Sequence, residues 1–580
     1  MKNLIKKTLE ILKKKDKINI VFAIFLSIIR SILEVLGIGL ILPILHFTTS
    51  QDKNNFIYDY FPYLKKLTDH QLILLLVFVF VCVYFIKTLF LIFTNWWNTR
   101  FVNRLYVSLT MAVLKKYLNK NYIFFLENHP SFLIRNISSE TSLFSLGLIG
   151  NLITIITHAV FIIFTCLFLV VYKTEALYVI FIILSVSVFI VKITSGTFKK
   201  WGEVRQEESA KGLKKLNEMV GNIKEIILFE KKKFFAEDFS FHSKKLAKAS
   251  IFRDTTIGLT APIIEFLGVL IFFVFFLYLI IYSTYTLGEI TILFGIFAFA
   301  CIKLLPSATA LIRSLQALKF NIPACHVVHK ILTTPDEFLN NSNEFFEPEK
   351  NKRIILDSIQ FEDVSFSYRN QTVPTLSQLN FQIDMGDKIA VIGETGSGKT
   401  TLLNIIATLL IPSSGKIKVN NSGQYNLTKN LRNKIGYVSQ SIYLSDSSII
   451  DNVRMNNDLL TFDNEAQIKS ILQSLNINKH LISKDSTPSS IGDRGSRLSG
   501  GQIQRIGLAR AIFRDPDILI LDESTNALDQ KTEIQILNFL FKKLEKKIVI
   551  LCTHKKDLLK YCNKILEVKN NKVIVKINKI

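Results

Sequence analysis

The chain has 580 residues, 49% of them hydrophobic, a mean hydropathy of +0.31 and a formal net charge of +24. Disorder is excluded because low hydrophobicity is its signature. A disulfide scaffold is excluded because six scattered cysteines (Cys82, Cys166, Cys301, Cys325, Cys552 and Cys562) show neither pairing nor metal-type spacing. Positive hydropathy alongside 71 Lys+Arg requires an apolar region and a basic region in one chain, and the length sets an expectation of about three to four domains.

Residues 1–17, MKNLIKKTLEILKKKDK, form a basic amphipathic stretch. It reads as an elbow helix on the cytoplasmic surface, where lysines meet anionic headgroups. The apolar run after it is too long for the h-region of a signal peptide. About 20 apolar residues span a bilayer as a helix. Six stretches qualify: Ile18–Phe47, Leu72–Thr94, Leu143–Val171, Ala176–Ile193, Ile257–Tyr282 and Leu287–Leu305. Runs such as VLIFFVFFLYLII (Val269–Ile281) have no polar face, which favours lipid over a soluble core. The N-terminus, Asn95–Ser142 and Lys192–Thr256 are basic, whereas the connections after spans one, three and five carry few Lys or Arg. The positive-inside rule then puts both termini in the cytoplasm. The two long basic segments are helical in pattern, with turns expected near Phe124–Ser131 and Leu216–Glu225. Helical arms of about 25 residues would reach roughly 35 Å past the bilayer, which suits linkage to a soluble motor.

Composition changes after Lys330. Residues 331–353 read as a linker, since Thr333–Lys352 is polar, acidic and poor in aliphatics. From residue 354 to 580, short β-rich runs alternate with helical segments, an α/β pattern. The expected architecture is an all-α polytopic membrane bundle of six transmembrane helices (residues 18–330) followed by an α/β P-loop nucleotide-binding domain.

The stretch Gly393, Glu394, Thr395, Gly396, Ser397, Gly398, Lys399, Thr400, Thr401 follows the apolar run KIAVI and precedes the helical TLLNIIATLL. Strand, Gly-rich loop and helix are the P-loop context, in which backbone N–H groups and the helix dipole face phosphates. Lys399 would contact the β- and γ-phosphates, and Thr400 would place its hydroxyl on Mg²⁺. Further along, Gln440 ends a strand, where an amide reaches Mg²⁺ and the attacking water. Ser499, Gly500, Gly501 and Gln502 start a helix and make a second anion site at its N-terminus. ILILDE (Ile518–Glu523) is a buried strand ending in two acids. Asp522 would orient the Mg²⁺ shell, and Glu523 would polarise the water as general base. His554 follows the strand IVILCT, within reach of the γ-phosphate. Any one of these is an ordinary strand-end polar residue; together, in this order, they are not.

LSGGQ (Leu498–Gln502) with the P-loop resembles the ATP-binding cassette family, and the six preceding spans with two long arms resemble its exporter branch with fused domains. The resemblance covers essentially the whole chain and implies ATP and Mg²⁺ as ligands. By the same resemblance, Tyr368 (VSFSY) would stack on adenine, although an aromatic in a strand is more often core. Asp493–Gly495 resembles the segment that touches the cytoplasmic arms. Asn526–Asp529 resembles the loop that crosses to a partner domain, where the family more often has Ser first; the residue after His554 is Lys where Arg is commoner. In the family, the LSGGQ of one domain closes on ATP held by the P-loop of another, so a chain with one of each is expected to form a homodimer, with a heterodimer as the alternative.

The spans must report the cargo. Arg30 and Glu34 lie at i, i+4 in span one and can pair on one face. Lys87 lies roughly 10–15 Å below the interfacial pair Trp96–Trp97, and Lys303 lies within a few turns of the cytoplasmic end of span six. Glu265 has comparable depth and can neutralise either lysine. Pairing or snorkelling is the bland explanation. The functional one is a basic belt in which Lys87, Lys303 and Arg313 from two chains, with Arg30 as a further candidate, face an anionic headgroup such as a diphosphate. The aromatic segment Phe56–Leu67 is expected at the outer interface. EVLGIGLILPIL (Glu34–Leu45), VRQEE (Val204–Glu208) and KLLPSA (Lys303–Ala308) resemble bacterial flippases of lipid-linked oligosaccharides. That resemblance implies a polyisoprenyl-diphosphate oligosaccharide moved from inner to outer leaflet of the bacterial inner membrane. Peptide or toxin export, and lipid or drug export of broad specificity, are the competing readings. A basic chain also suggests nucleic acid, but no stacking platform or base-reading motif accompanies the charge.

Overall fold

Ten α-helices make up most of the described part of the first 335 residues. In chain order they are α1 (Lys2–Ile11), α2 (Lys14–Gly39), α3 (Asp69–Leu118), α4 (Tyr122–Glu127), α5 (Pro130–Arg135), α6 (Gly150–Tyr172), α7 (Ala176–Gly221), α8 (Ile223–Leu228), α9 (Lys232–Tyr282) and α10 (Leu287–Thr333). The computed structural model describes residues 2–40, 69–172, 176–282, 287–335, 356–369, 371, 373–420, 429–455, 462–477 and 491–578. The end of the first expected span, the segment Phe56–Leu67 and most of the expected linker lie outside these residues. Two compact units emerge, Met1–Lys120 with Phe124–Asn340, and Asn121–Ile123 with Asn341–Ile580.

In the first unit, the described stretches Lys14–Gly37, Ile73–Leu118, Pro130–Val170 and Lys232–Tyr282 are long and apolar enough to cross a membrane. The fourth and sixth expected spans open α7 and α10. Leu74, Phe78, Phe85 and Ile92 of α3 are exposed, as a lipid-facing stripe should be. The turns expected between the arms fall at α4 and α5 in the first and between α7 and α8 in the second. Before α6 the chain forms two π-helical turns, Asn136–Glu140 and Leu143–Ile149. Such turns displace side chains from the regular i+4 rows and recur at functional sites.

The elbow is shorter than the expected 1–17. It stops at Ile11, and Lys14–Lys17 already belong to α2. Its apolar face packs on protein: Leu4, Ile11 and Leu12 share a core with Phe101 and Leu105 of α3 and Leu318 and Val328 of α10. Glu10 Oε2 lies 2.7 Å from His329 Nε2. The start of the expected linker is also helical, because α10 continues to Thr333 with Leu332 packed against that same core.

The arms enclose a buried ionic group. Glu140 is 0% exposed, 3.8 Å from Arg135 Nε and 3.5 Å from Arg205 Nη2, and its Oε2 accepts from Gln206 Nε2 at 3.1 Å. Gly202 of α7 lies against α10 so closely that an added Cβ would overlap the Phe320 carbonyl oxygen.

The second unit carries two sheets. A three-stranded antiparallel sheet has the order β2-β1-β4, from β1 (Ser358–Phe366), β2 (Leu376–Asp384) and β4 (Ser414–Val419). A six-stranded sheet has the order β5-β6-β7-β3-β8-β9 and is parallel except at its β8/β9 edge. Its strands are β3 (Lys388–Gly393), β5 (Ile435–Val438), β6 (Ile518–Asp522), β7 (Ile548–Cys552), β8 (Lys564–Lys569) and β9 (Lys572–Ile577). Strands β6 and β7 are buried at every residue, which explains why they read as continuous apolar runs rather than alternating ones. Register pairs Val391 with Cys552 and Asp522 with Cys552, so β3, β6 and β7 end together. Ligands of open α/β sheets bind outside the carboxyl ends of parallel strands.

Candidate nucleotide site

The loop after β3 leads into α11 (Lys399–Ile406), whose N-cap is Gly398. Gly396 and Gly398 adopt φ of 84° and 104°, left-handed values that only glycine takes without strain. This conformation folds the loop over its own lysine. Lys399 Nζ donates to the carbonyls of Gly393 (3.0 Å) and Glu394 (2.9 Å). Ser397 Oγ is buried without a hydrogen-bond partner. A phosphate oxygen in this loop would satisfy that orphan and give Lys399 a stronger, charge-assisted partner.

Asp522 ends β6 at 5% exposure. Tyr437 of β5 donates its hydroxyl to Asp522 Oδ2 at 3.1 Å and lies 3.3 Å from Asn404 Oδ1 of α11. The Thr400 hydroxyl lies close enough to Asp522 to favour its charged form. Burial raises the Asp522 carboxyl above its ordinary range, the Glu523 charge adds to this, and the Tyr437 and Thr400 hydroxyls oppose it. A raised carboxyl beside a hydroxyl is a site that a divalent cation would relieve, so the residues fit Mg²⁺. Such an ion would neutralise charge on the phosphates.

Glu523, the next residue, is turned out of the strand by a φ of 48°. Three side chains converge on its carboxylate: Gln440 Nε2 at 3.0 Å, His554 Nε2 at 3.1 Å and Asn526 Nδ2 at 3.3 Å. A carboxylate held at a strand end by amide donors is oriented to accept a proton from water. Asn526 thus substitutes an amide donor where the family more often has Ser. Tyr368 lies beside the loop, its hydroxyl 3.2 Å from Thr401 Oγ1 and its ring edge-on to Phe366.

Ser499 caps α15 (Gly500–Phe513); the intervening helices are α12 (Lys429–Arg432), α13 (Ile449–Arg454) and α14 (Phe462–Ser474). It does so in a reciprocal box with Gln502: Gln502 N–H donates to Ser499 Oγ (3.3 Å) and Ser499 N–H to Gln502 Oε1 (2.8 Å). The following loop is tied to this helix, since Ala527 N–H donates to Gln504 Oε1 at 3.0 Å. Among the described residues no hydrogen bond joins Ser499 or Gln502 to the P-loop. Asp493–Gly495 forms a short 3₁₀ turn just before α15.

Two family models match the chain: "ABC transporter transmembrane region" over residues 20–301 and "ABC transporter" over residues 376–526. The chain belongs to the ATP-binding cassette transporters. It is an exporter-type member with fused membrane and nucleotide domains, and an ATP hydrolase coupled to transport. Among solved structures, a bacterial Atm1-family ABC exporter with ATP bound shares the fold of this transporter at a TM-score of 0.76, 17% identity, and 97% and 94% coverage of the two chains. The "ATP-dependent lipid A-core flippase" of Burkholderia orbicola (strain AU 1054) is 25% identical over 478 residues, 81% of this chain and 78% of that one. A flippase of that name from Desulfotalea psychrophila (strain LSv54 / DSM 12343) is 33% identical over 219 residues, 38% of each chain.

Within the membrane unit of the transporter, one carboxylate faces two cations. Glu34 lies 3.5 Å from Arg30 and 3.7 Å from Lys87, and Lys87 is 5% exposed with its ammonium over the Tyr84 ring. Arg30 and Lys303 both lie within electrostatic range of Lys87. Of the two lysines that Glu265 is expected to neutralise, Lys87 faces Glu34. Glu265 lines a separate cavity of about 350 Å³ with Arg313.

Proposed function

We propose that this transporter is a homodimer of the bacterial inner membrane, with both termini and the nucleotide-binding domain cytoplasmic, that uses Mg²⁺-ATP to flip an anionic glycolipid. The favoured cargo is a polyisoprenyl-diphosphate-linked oligosaccharide moved from inner to outer leaflet. The observation that carries the reading is the charge of the Arg30–Glu34–Lys87 group. Two cations share one carboxylate at membrane depth, and intramembrane ionisable groups of this kind mark substrate pathways. The name of the relatives, lipid A-core flippases, supports lipid A-core as a second cargo.

On the nucleotide side, Glu523 acts as general base, Gln440 and His554 hold it, Asp522 and Thr400 hold the metal, and Lys399 meets phosphate. Tyr368 stacks on adenine, and Ser499 to Gln502 of one chain close on ATP in the other. Binding closes the dimer and favours the outward cavity; hydrolysis reverses the shift. The test is ATPase activity in liposomes. A polyisoprenyl-diphosphate glycan or lipid A-core should stimulate it, and Lys87→Ala with Lys303→Ala should remove most of that stimulation. Stimulation by a peptide alone, or full glycolipid stimulation of the double variant, contradicts the cargo assignment.

A further inference from the structure

We propose that a polar cavity beside the Arg30–Glu34–Lys87 group receives the sugar part of the cargo, and reads it through side-chain amides and hydroxyls. The proposal rests on the glycolipid reading above and adds to it a site for the carbohydrate. The cavity has a volume of about 360 Å³, enough for a saccharide unit rather than for a few waters. Two helix faces build it. From α3 come Asn95, Asn98, Thr99 and Asn103, spaced i, i+3, i+4, i+8 and therefore on one stripe. From α6 come Asn151, Thr154, Thr157 and His158, again one stripe, directly after the π-helical turn Leu143–Ile149. Arg30 of α2 lines the same cavity and joins it to the basic group.

The chemistry of the wall is specific. Asn103 Nδ2 donates to the Thr99 carbonyl and Asn151 Nδ2 to the Gly147 carbonyl. Thr154 and Thr157 donate their hydroxyls to the carbonyls of Gly150 and Ile153. Each of these bonds uses one donor, so the second N–H of each amide and the amide and hydroxyl oxygens remain for a ligand. The Asn98 side-chain amide oxygen is buried with no hydrogen-bond partner. A buried orphan acceptor is costly. An aliphatic ligand would leave it unmet, and an ionised phosphate, itself only an acceptor, could pair with the amide N–H groups and Arg30 but not with this oxygen. Sugar hydroxyls are donors and satisfy it. The arrangement therefore divides the headgroup, with phosphate at the cations and sugar at the amides and hydroxyls.

The test uses the full-length protein in liposomes, with lipid-stimulated ATPase as readout. The probes are sugar-free undecaprenyl diphosphate, the same lipid carrying a disaccharide, and lipid A-core as a second glycosylated arm. In Asn98→Leu combined with Thr154→Val, the half-stimulating concentration of the glycosylated probe should rise about tenfold, the loss of one to two hydrogen bonds. The value for the sugar-free lipid should move by less than about twofold. Thr154→Ser should behave as the parent, and Thr154→Val alone, a change of equal shape, carries the test if the double variant does not fold. Equal loss on both kinds of probe, or no loss on the glycosylated ones, overturns the proposal. A parent protein that responds only to the sugar-free lipid overturns the sugar site and leaves the anionic-lipid reading standing; one that responds to none of the three overturns both. Whichever glycosylated arm shows the shift identifies the source of the sugar.

Discussion

Removing the Tyr437 hydroxyl isolates the contribution of a residue that meets Asp522 from a neighbouring strand. Tyr437 bonds to Asp522 at 3.1 Å inside a nearly closed environment. Tyr437→Phe keeps the ring and its packing, so the change is one hydrogen bond to a buried carboxylate, worth about 1.5–3 kcal/mol. Outer partners that orient a metal-binding carboxylate typically carry about 10–100-fold in metal affinity. The lower end applies here, because Thr400 still contacts Asp522. At saturating ATP the Mg²⁺ concentration for half-maximal ATPase should therefore rise about tenfold, and kcat at high Mg²⁺ should stay within about twofold of the parent. An unchanged Mg²⁺ dependence, or a kcat that falls equally at every Mg²⁺ concentration, would refute the reasoning that Tyr437 acts by positioning Asp522.

Three further outcomes follow from the geometry. Glu140→Gln leaves Arg135 and Arg205 buried without their shared counter-charge, so thermal unfolding should show the membrane unit less stable by about 3–5 kcal/mol; a change below about 1 kcal/mol would mean that water already screens the group. Gly202→Ala forces α7 away from the Phe320 carbonyl and should lower expression and melting temperature together, whereas a neutral result would show that α10 yields at that point. The Cys552 thiol is pushed up to about 12 by burial and the neighbouring Asp522 charge; alkylation at pH 8 should therefore modify it only on unfolding, and rapid labelling of the native protein would contradict its 1% exposure.

The nucleotide site was legible in the sequence because its parts sit in short linear motifs, each fixed to a strand end or helix start. Gly393–Thr401, Gln440, Asp522, Glu523 and His554 fall on the strand ends that the parallel sheet brings to one edge. Tyr437 and Asn404 were not legible, since they meet Asp522 from a different strand and a different helix. The only signal was a Tyr three residues before Gln440 in a strand otherwise facing the core. Depth along a span placed Lys87 and Glu265 at one level, but depth does not say which helices are neighbours, and Glu34 is the partner instead. The Asn95, Asn98, Thr99, Asn103 stripe was readable at helical spacing. It escapes a search confined to ionisable groups, because amides carry no charge. Sequence pattern did not show that the elbow's apolar residues pack on α3 and α10.

The central claim is that hydrolysis at Glu523 drives net movement of an anionic glycolipid. Glu523→Gln keeps the contacts to Gln440, His554 and Asn526 in reach but removes the base. The direct measurement is ATP-dependent sequestration of a fluorescent undecaprenyl-diphosphate disaccharide from a membrane-impermeant quencher, in proteoliposomes with the nucleotide domains outside. The parent should sequester the lipid only with Mg²⁺-ATP, and the variant should retain bound ATP yet move none. Sequestration by the variant at the parental rate would contradict the claim that this chain is an ATP-hydrolysing transporter acting through Glu523.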